Sequence, residues 1–128
     1  SSMVPTMVVD RQGRTMMVVG ARGGPRILSA VLQTIVNVVD HQMTIADAIS
    51  APRVHHQAVP DTLRFVRDGL APAVADSLRA MGYSVTPFGK GIAASPDGNI
   101  GSVNGILRRN GLWTGFSDPR VGGRPAAY

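Results

Sequence analysis

The fold is decided by the stretch Val18-Val19-Gly20-Ala21-Arg22-Gly23-Gly24-Pro25-Arg26-Ile27. An apolar run that begins at Thr15 ends in glycines, and a long apolar segment follows Pro25, so the pattern predicts a strand, a tight turn and a helix. Proline is best tolerated at the first helical position, which places Gly23 and Gly24 at or just before the helix start. Backbone N–H groups at this end of a helix lack intrahelical partners, and the helix dipole adds partial positive charge. The turn therefore suits an oxyanion or a carboxylate.

Two interpretations of this glycine turn are open from the local pattern. In the first, the glycines only make a compact connection between a strand and a helix. In the second, the N–H groups of Gly23 and Gly24 form an oxyanion hole for acyl transfer, where loss of one donor typically raises the barrier by roughly 2.7–4 kcal/mol. A phosphate-binding loop is disfavoured, because neither G-x-G-x-x-G nor G-x-x-x-x-G-K-[ST] occurs in the chain.

Composition predicts one globular domain with a sizeable core. The chain has 128 residues, of which 44% are hydrophobic and 16% are charged, and these values exclude a disordered chain. The formal net charge is +5, yet the 13 Lys and Arg residues are scattered and aromatic residues are few. A basic stripe interleaved with stacking rings is missing, so the sequence does not favour nucleic-acid binding. An acidic partner surface or an anionic substrate is the other interpretation of the positive charge.

Several classes of site are excluded or disfavoured by residue type. The chain has no cysteine, which excludes disulfides, thiol nucleophiles and cysteine metal sites. Polar residues such as Gln33 and Asn37 interrupt the longest apolar run, so no membrane span is predicted. Adjacent histidines in an extended segment point to opposite sides, so His55 and His56 favour structural or surface roles over a shared metal. No metal site is predicted.

Patterning along the chain predicts an α+β fold with antiparallel pairing. An apolar helix from Ile27 to Val39 is expected to lie between a sheet and another layer, because it is apolar on most sides. Thr44 to Asp47 resembles a capping box and predicts a short second helix that ends near Ala51. The other predicted elements are a hairpin over 5–19, strands over 63–66 and 83–88, a helix from Pro72 to the cap Gly82, and a hairpin turn at Asn110-Gly111.

Five motifs together resemble one known family. They are Ser1-Ser2-Met3 followed by Pro5-Thr6; Gly20-x-x-Gly23-Gly24-x-Arg26-Ile27; Ala51-Pro52-Arg53-x-His55-His56-Gln57; Ser117-Asp118-Pro119-Arg120; and Gly122-Gly123-x-Pro125-Ala126-Ala127-Tyr128. In this order they resemble the C-terminal part of the small subunit of gamma-glutamyltransferases, which are N-terminal-nucleophile hydrolases. The resemblance covers nearly the whole chain, and although each motif alone is unspecific, five in register are specific.

The resemblance implies a four-layer αββα sandwich, with residues 1–128 as a single domain at the C-terminal end of the small subunit. It also implies a precursor that cleaves itself to expose an N-terminal threonine. That threonine attacks the γ-amide of glutathione or a related γ-glutamyl donor, and the glutamyl group then passes to an amino acid, a peptide or water. The resemblance implies no cofactor, and it implies a periplasmic or secreted protein.

The family's site residues fall on four positions of this sequence. Its paired serines, which bind the α-carboxylate of the donor, fall on Ser1 and Ser2. Its oxyanion-binding glycines fall on Gly23 and Gly24, in agreement with the interpretation drawn from the turn alone. Hydrogen bonds to a charged group contribute roughly 1.5–3 kcal/mol each, so two serines are expected to anchor the glutamyl end of the donor.

The resemblance also implies groups that lie outside this chain. The nucleophilic threonine lies upstream of the paired serines, and Thr6, Thr15 and Thr44 do not match its position. The large subunit supplies an arginine for the α-carboxylate. We therefore expect this chain to be inactive alone, with the large subunit and the upstream segment of the small subunit as its partners.

Three alternatives are open at this point. The chain could be a non-catalytic structural or binding piece of the same fold. It could belong to a sister acylase of the superfamily that acts on another acyl group. Finally, Ser1 could itself act as a nucleophile, with its own α-amine as the base, although its motif matches binding serines.

Overall fold

A computed structural model describes residues 4–66, 69–88 and 100–126 of the chain. Within these ranges the strands and helices follow one another as β1 (Thr6–Val9), β2 (Thr15–Arg22), α1 (Arg26–Val39), α2 (Ile45–Ser50), β3 (Val54–His55), β4 (Leu63–Phe65), α3 (Pro72–Ala80), β5 (Val85–Pro87), β6 (Ser102–Arg109) and β7 (Leu112–Ser117). The predicted α+β class is confirmed, and the first hairpin, the three helices and the Asn110-Gly111 turn occur where the sequence predicts them.

The strands form two sheets. The larger sheet has the order β1-β2-β6-β7, and all its pairs are antiparallel. The smaller sheet has the order β3-β4-β5, in which β3 and β4 are antiparallel but β4 and β5 are parallel. This parallel pair is a difference from the predicted antiparallel pairing. A parallel pair needs a crossover connection, and α3 provides it between β4 and β5.

One face of the larger sheet carries the main core. Alternate residues of β2 and β6 point to this face, where they pack against the buried faces of α1 and α2. The buried residues of this cluster are Met17, Val19, Ile27, Ala30, Val31, Val38, Ile45, Ala48, Ile49, Val103 and Leu107. The core therefore fixes α1 against the strand that leads into the glycine turn.

Helix α1 is covered on only one side by the described residues. Leu28 and Leu32 are 59% and 61% exposed, and Val39 is 40% exposed. Their spacing places them on the face turned away from the sheet. The predicted burial of this helix between two layers is therefore seen only on its sheet side.

The opposite face of the larger sheet is partly bare. Met7, Val18 and Ile106 form a row across β1, β2 and β6, and Met7 and Ile106 are 63% and 43% exposed. Trp113 on β7 is also half exposed, with the Arg108 guanidinium 5.8 Å from its ring centroid.

We expect the isolated polypeptide to aggregate or to associate with other chains. The reason is that apolar side chains are exposed both on the outer side of α1 and on the bare face of the sheet. Sedimentation of the purified chain across a concentration series measures this directly. A soluble monomer with a single cooperative unfolding transition would contradict the expectation.

Contacts with β6 hold both ends of α1. Gly101, just before β6, has φ +92°, and a Cβ at this position would lie 2.8 Å from the Cβ of Ala30 and 3.2 Å from the carbonyl oxygen of Arg26. Only glycine fits here without strain or collision. At the other end, Arg109 donates hydrogen bonds of 3.3 Å to the carbonyl oxygens of Gln42 and Met43, just beyond the helix.

Candidate active site

The glycine turn lies between the last residue of β2 and the first turn of α1. Gly23 and Gly24 have φ values of +140° and +62°, conformations that favour glycine. Pro25 is the N-cap residue and the helix begins at Arg26, so Pro25 precedes the first helical position instead of occupying it. The carbonyl oxygens of Gly23 and Gly24 accept hydrogen bonds from the N–H groups of Arg26 and Ile27, at 3.4 and 3.1 Å.

The N–H groups of both glycines have no acceptor within the described ranges of the chain. Both residues are partly exposed, and the space where a Cβ of Gly24 would lie has no atom within 4 Å. The turn therefore combines two N–H groups, the positive end of the α1 dipole and room for a ligand. This arrangement can stabilise a negative charge.

The other predicted site residues, Ser1 and Ser2, lie outside the described residues. Their assignment to the donor carboxylate thus continues to rest on the sequence motif.

The two adjacent histidines have different surroundings, as the sequence predicts. His55 is buried, and its Nδ1 and Nε2 form hydrogen bonds with the Ser29 hydroxyl at 2.8 Å and with the Oε1 of Gln57 at 3.0 Å. His56 is exposed and pairs with Asp61 at 2.7 Å. No group of three potential metal ligands occurs in residues 4–66, 69–88 or 100–126. His55 therefore packs in the interior of the protein, whereas His56 lies at its surface.

A buried ion pair lies next to the start of α1. Arg53 and Asp118 are 1% and 0% exposed, and the guanidinium donates both to the Asp118 carboxylate and to the carbonyl oxygen of Gly101. Asp118 also accepts hydrogen bonds from the N–H groups of Val103 and Arg120, at 3.2 and 3.0 Å. The pair thereby ties the segment after α2 to β6 and to the end of β7.

Arg120 extends this network to the end of α2. Its guanidinium donates hydrogen bonds of 2.7–3.0 Å to the carbonyl oxygens of Ile49, Ser50 and Ala51, which are among the carbonyls left unpaired at a helix C-terminus. Arg53 and Asp118 both lie in motifs named above, but the sequence does not predict that they pair. A spacing of 65 residues between the partners leaves no local signal for such a contact.

Comparison with known proteins shows the family of the chain. A family model described as gamma-glutamyltranspeptidase matches residues 1–128. The chain belongs to the gamma-glutamyltranspeptidase family. Over 105 residues it is 43% identical to a glutathione hydrolase proenzyme of Escherichia coli K12, and this alignment covers 78% of this chain and 18% of that protein. It is 36% identical to the Pseudomonas aeruginosa PAO1 enzyme of the same name, over 94% of this chain and 20% of that protein.

Solved structures of gamma-glutamyltranspeptidases have the same fold. The Pseudomonas nitroreducens protein complexed with L-DON aligns with a TM-score of 0.83 and 35% identity, over 100% of this chain and 63% of that chain. The T380A mutant of the Helicobacter pylori protein aligns with a TM-score of 0.80 and 40% identity, over 94% of this chain and 61% of that chain. The Bacillus anthracis transpeptidase CapD, at 23% identity and a TM-score of 0.77, supports the fold alone.

Membership of the gamma-glutamyltranspeptidase family confirms the resemblance drawn from the five motifs and the sandwich class predicted from it. The chain spans about a fifth of the length of the curated relatives described above. Their designation as proenzymes supports the expected autoprocessing of a longer precursor. Within the described ranges, no helix has the length and hydropathy needed to cross a membrane.

Proposed function

We propose that this chain is part of a gamma-glutamyl transferase or hydrolase that cleaves the γ-glutamyl amide of glutathione or a related donor. The glycine turn is the observation that carries the proposal, because it offers two N–H groups without described acceptors at the positive end of a helix. The chain's membership of the gamma-glutamyltranspeptidase family supports it.

In the proposed reaction, the hydroxyl of a threonine upstream of Ser1 attacks the γ-carbonyl carbon of the donor. The carbonyl oxygen becomes negatively charged, and the N–H groups of Gly23 and Gly24 donate hydrogen bonds to it. The C–N bond then breaks, the proton lost by the threonine hydroxyl passes to the leaving amine nitrogen, and the glutamyl group is held as an ester of the threonine. An amino acid, a peptide or water attacks this ester and releases the product.

Ser1 and Ser2 hold the α-carboxylate of the donor in this proposal, so that the glutamyl group is bound at one end while its γ-carbonyl faces the glycine turn. The large subunit and the upstream segment of the small subunit complete the site, and the chain alone is inactive. The proposed location is periplasmic or secreted, which is what the family resemblance implies.

A chromogenic γ-glutamyl anilide tests this proposal on the full-length protein that contains the chain. We expect release of the aromatic amine from the processed protein and no release from residues 1–128 alone. Replacing the threonine at the self-cleavage junction with alanine is expected to block both processing and amine release. Absence of amine release by a correctly processed protein would overturn the proposal.

Two alternatives from the sequence have their own tests. A non-catalytic piece of the same fold is favoured if the residues encoded before Ser1 include no threonine at a cleavage junction. A sister acylase is favoured if a processed protein ignores γ-glutamyl donors but releases the amine from other acyl amides in a substrate panel.

A further inference from the structure

A small polar pocket adjoins the start of α1. Its volume is about 110 Å³, and its lining consists of Arg26, His55, Gln57, Pro60, Thr62 and Arg64. Arg26 is the first residue of α1 and follows the glycine turn directly. The pocket therefore shares with the glycine turn the residue at the start of α1.

The lining of this pocket is cationic. Among the described residues, it contains two arginines and no acidic residue. Asp61, although adjacent in sequence to Thr62, is 84% exposed at its side chain and pairs with His56 instead. The Arg64 guanidinium therefore supplies positive charge to this lining, which suits an anionic ligand.

Arg64 is held in place by an aromatic ring. Its guanidinium carbon lies 5.8 Å from the ring centroid of Phe88, a buried residue, and the guanidinium of Arg26 lies 5.4 Å from the same centroid. Within the described ranges, no carboxylate pairs with Arg64. A guanidinium that stacks on a ring keeps its N–H groups available for a carboxylate.

A chain of hydrogen bonds fixes the neighbouring wall. The Ser29 hydroxyl is hydrogen-bonded to His55, His55 is hydrogen-bonded to Gln57, and the Gln57 amide donates to the carbonyl oxygen of Val59 at 2.7 Å. His55 and Arg64 also face each other across the β3 and β4 pair. The polar groups of the pocket are therefore positioned before any ligand arrives.

We propose that this pocket binds the carboxylate on the far side of the scissile bond. In glutathione this is the carboxylate of the glycine residue, and in an acceptor it is the carboxylate of the incoming amino acid or peptide. The inference rests on the proposed function, in which Ser1 and Ser2 already bind the α-carboxylate of the glutamyl group.

The test compares donors that differ only in this carboxylate. The full-length processed protein is assayed with glutathione, with glutathione whose glycine ends in a carboxamide, and with a γ-glutamyl anilide. We expect kcat/KM for glutathione to exceed that for its amide by about tenfold or more, as for a charge-assisted hydrogen bond. The Arg64→Met variant is expected to abolish this preference, and Arg64→Lys to restore part of it.

Arg11→Met is the matched control, because Arg11 is an exposed arginine in the β1–β2 turn and its loss changes the net charge equally. It is expected to keep the wild-type preference for the carboxylate. Equal kcat/KM values of the wild-type protein for glutathione and its amide would overturn the inference while leaving the proposed function intact, and this comparison needs no variant to fold. A processed protein with no activity on any of the three donors would instead overturn the proposed function.

Discussion

Replacing Asp118 with asparagine is expected to lower the free energy of unfolding by about 3–5 kcal/mol, the usual effect of removing one partner of a buried ion pair. The variant leaves the Arg53 guanidinium buried without a carboxylate. Nε and Nη1 of Arg53 have no hydrogen-bond partner in the described part of the chain, so the remaining acceptor there is the carbonyl oxygen of Gly101. We propose urea unfolding of the full-length protein as the measurement.

The matched control is Asp76→Asn. Asp76 also pairs with an arginine, Arg79, but both side chains are largely exposed, at 73% and 48%. Exposed pairs of this kind contribute about 0–1 kcal/mol, so this variant is expected to unfold almost as the wild type does. Similar urea midpoints for the two variants would show that the buried Arg53–Asp118 pair contributes no more to the free energy of unfolding than the exposed pair does.

The same pair predicts a pH dependence. Burial by itself would raise the pKa of Asp118, but hydrogen bonds from Arg53 and from the Arg120 backbone outweigh burial and hold the pKa below its usual range. A carboxyl with a lowered folded pKa contributes stability above its unfolded pKa, about 3.9 for aspartate, and loses it as the pH falls through the folded pKa. The stability difference between wild type and Asp118→Asn should therefore be full at pH 7 and shrink below about pH 4.

Gly24→Ala is expected to reduce kcat/KM for a γ-glutamyl anilide by about 10²–10³-fold, the usual effect of losing one oxyanion donor. The new methyl group would extend into the open space beside the N–H group and would keep a carbonyl oxygen from reaching it. Because an oxyanion contact forms only in the transition state, kcat should fall as much as kcat/KM. Steady-state kinetics of the processed protein measure both.

Backbone strain at Gly24 needs a control of its own. An alanine at φ +62° costs about 1–2 kcal/mol, whatever the role of the residue. Gly13 in the β1–β2 turn has φ +75°, and a Cβ added there would likewise have no atom within 4 Å. Gly13→Ala should therefore lose similar stability and keep full activity. Equal activity of the two variants would count against the oxyanion role of Gly24.

Much of the architecture follows from local patterns. The apolar spacing over 27–39 predicts α1, Thr44 and Asp47 form the predicted cap of α2, with the Thr44 hydroxyl accepting from the Asp47 N–H at 3.1 Å, and Asn110-Gly111 forms the predicted hairpin turn. Each of these depends on residues within a few positions of one another. Periodicity and turn chemistry therefore suffice to predict them.

Features that depend on distant residues could not be predicted in this way. The parallel pairing of β4 with β5 depends on how α3 crosses over the smaller sheet. The pocket beside α1 combines residues of α1, β3, β4 and the loop between the two strands. A single sequence does not show which of its arginines lie close together in the fold, so no local pattern predicts that Arg64 lines this pocket.

The attachment of α1 to β6 at both ends has a consequence for the proposed chemistry. Gly101 packs against the first turn of the helix, and Arg109 donates hydrogen bonds to carbonyl oxygens just beyond its last turn. The helix is therefore fixed relative to β6 near both of its ends. The amide dipoles at its mouth are thus oriented when the chain folds. In the proposed reaction, the negative charge that develops on the carbonyl oxygen would meet dipoles that need no rearrangement during turnover.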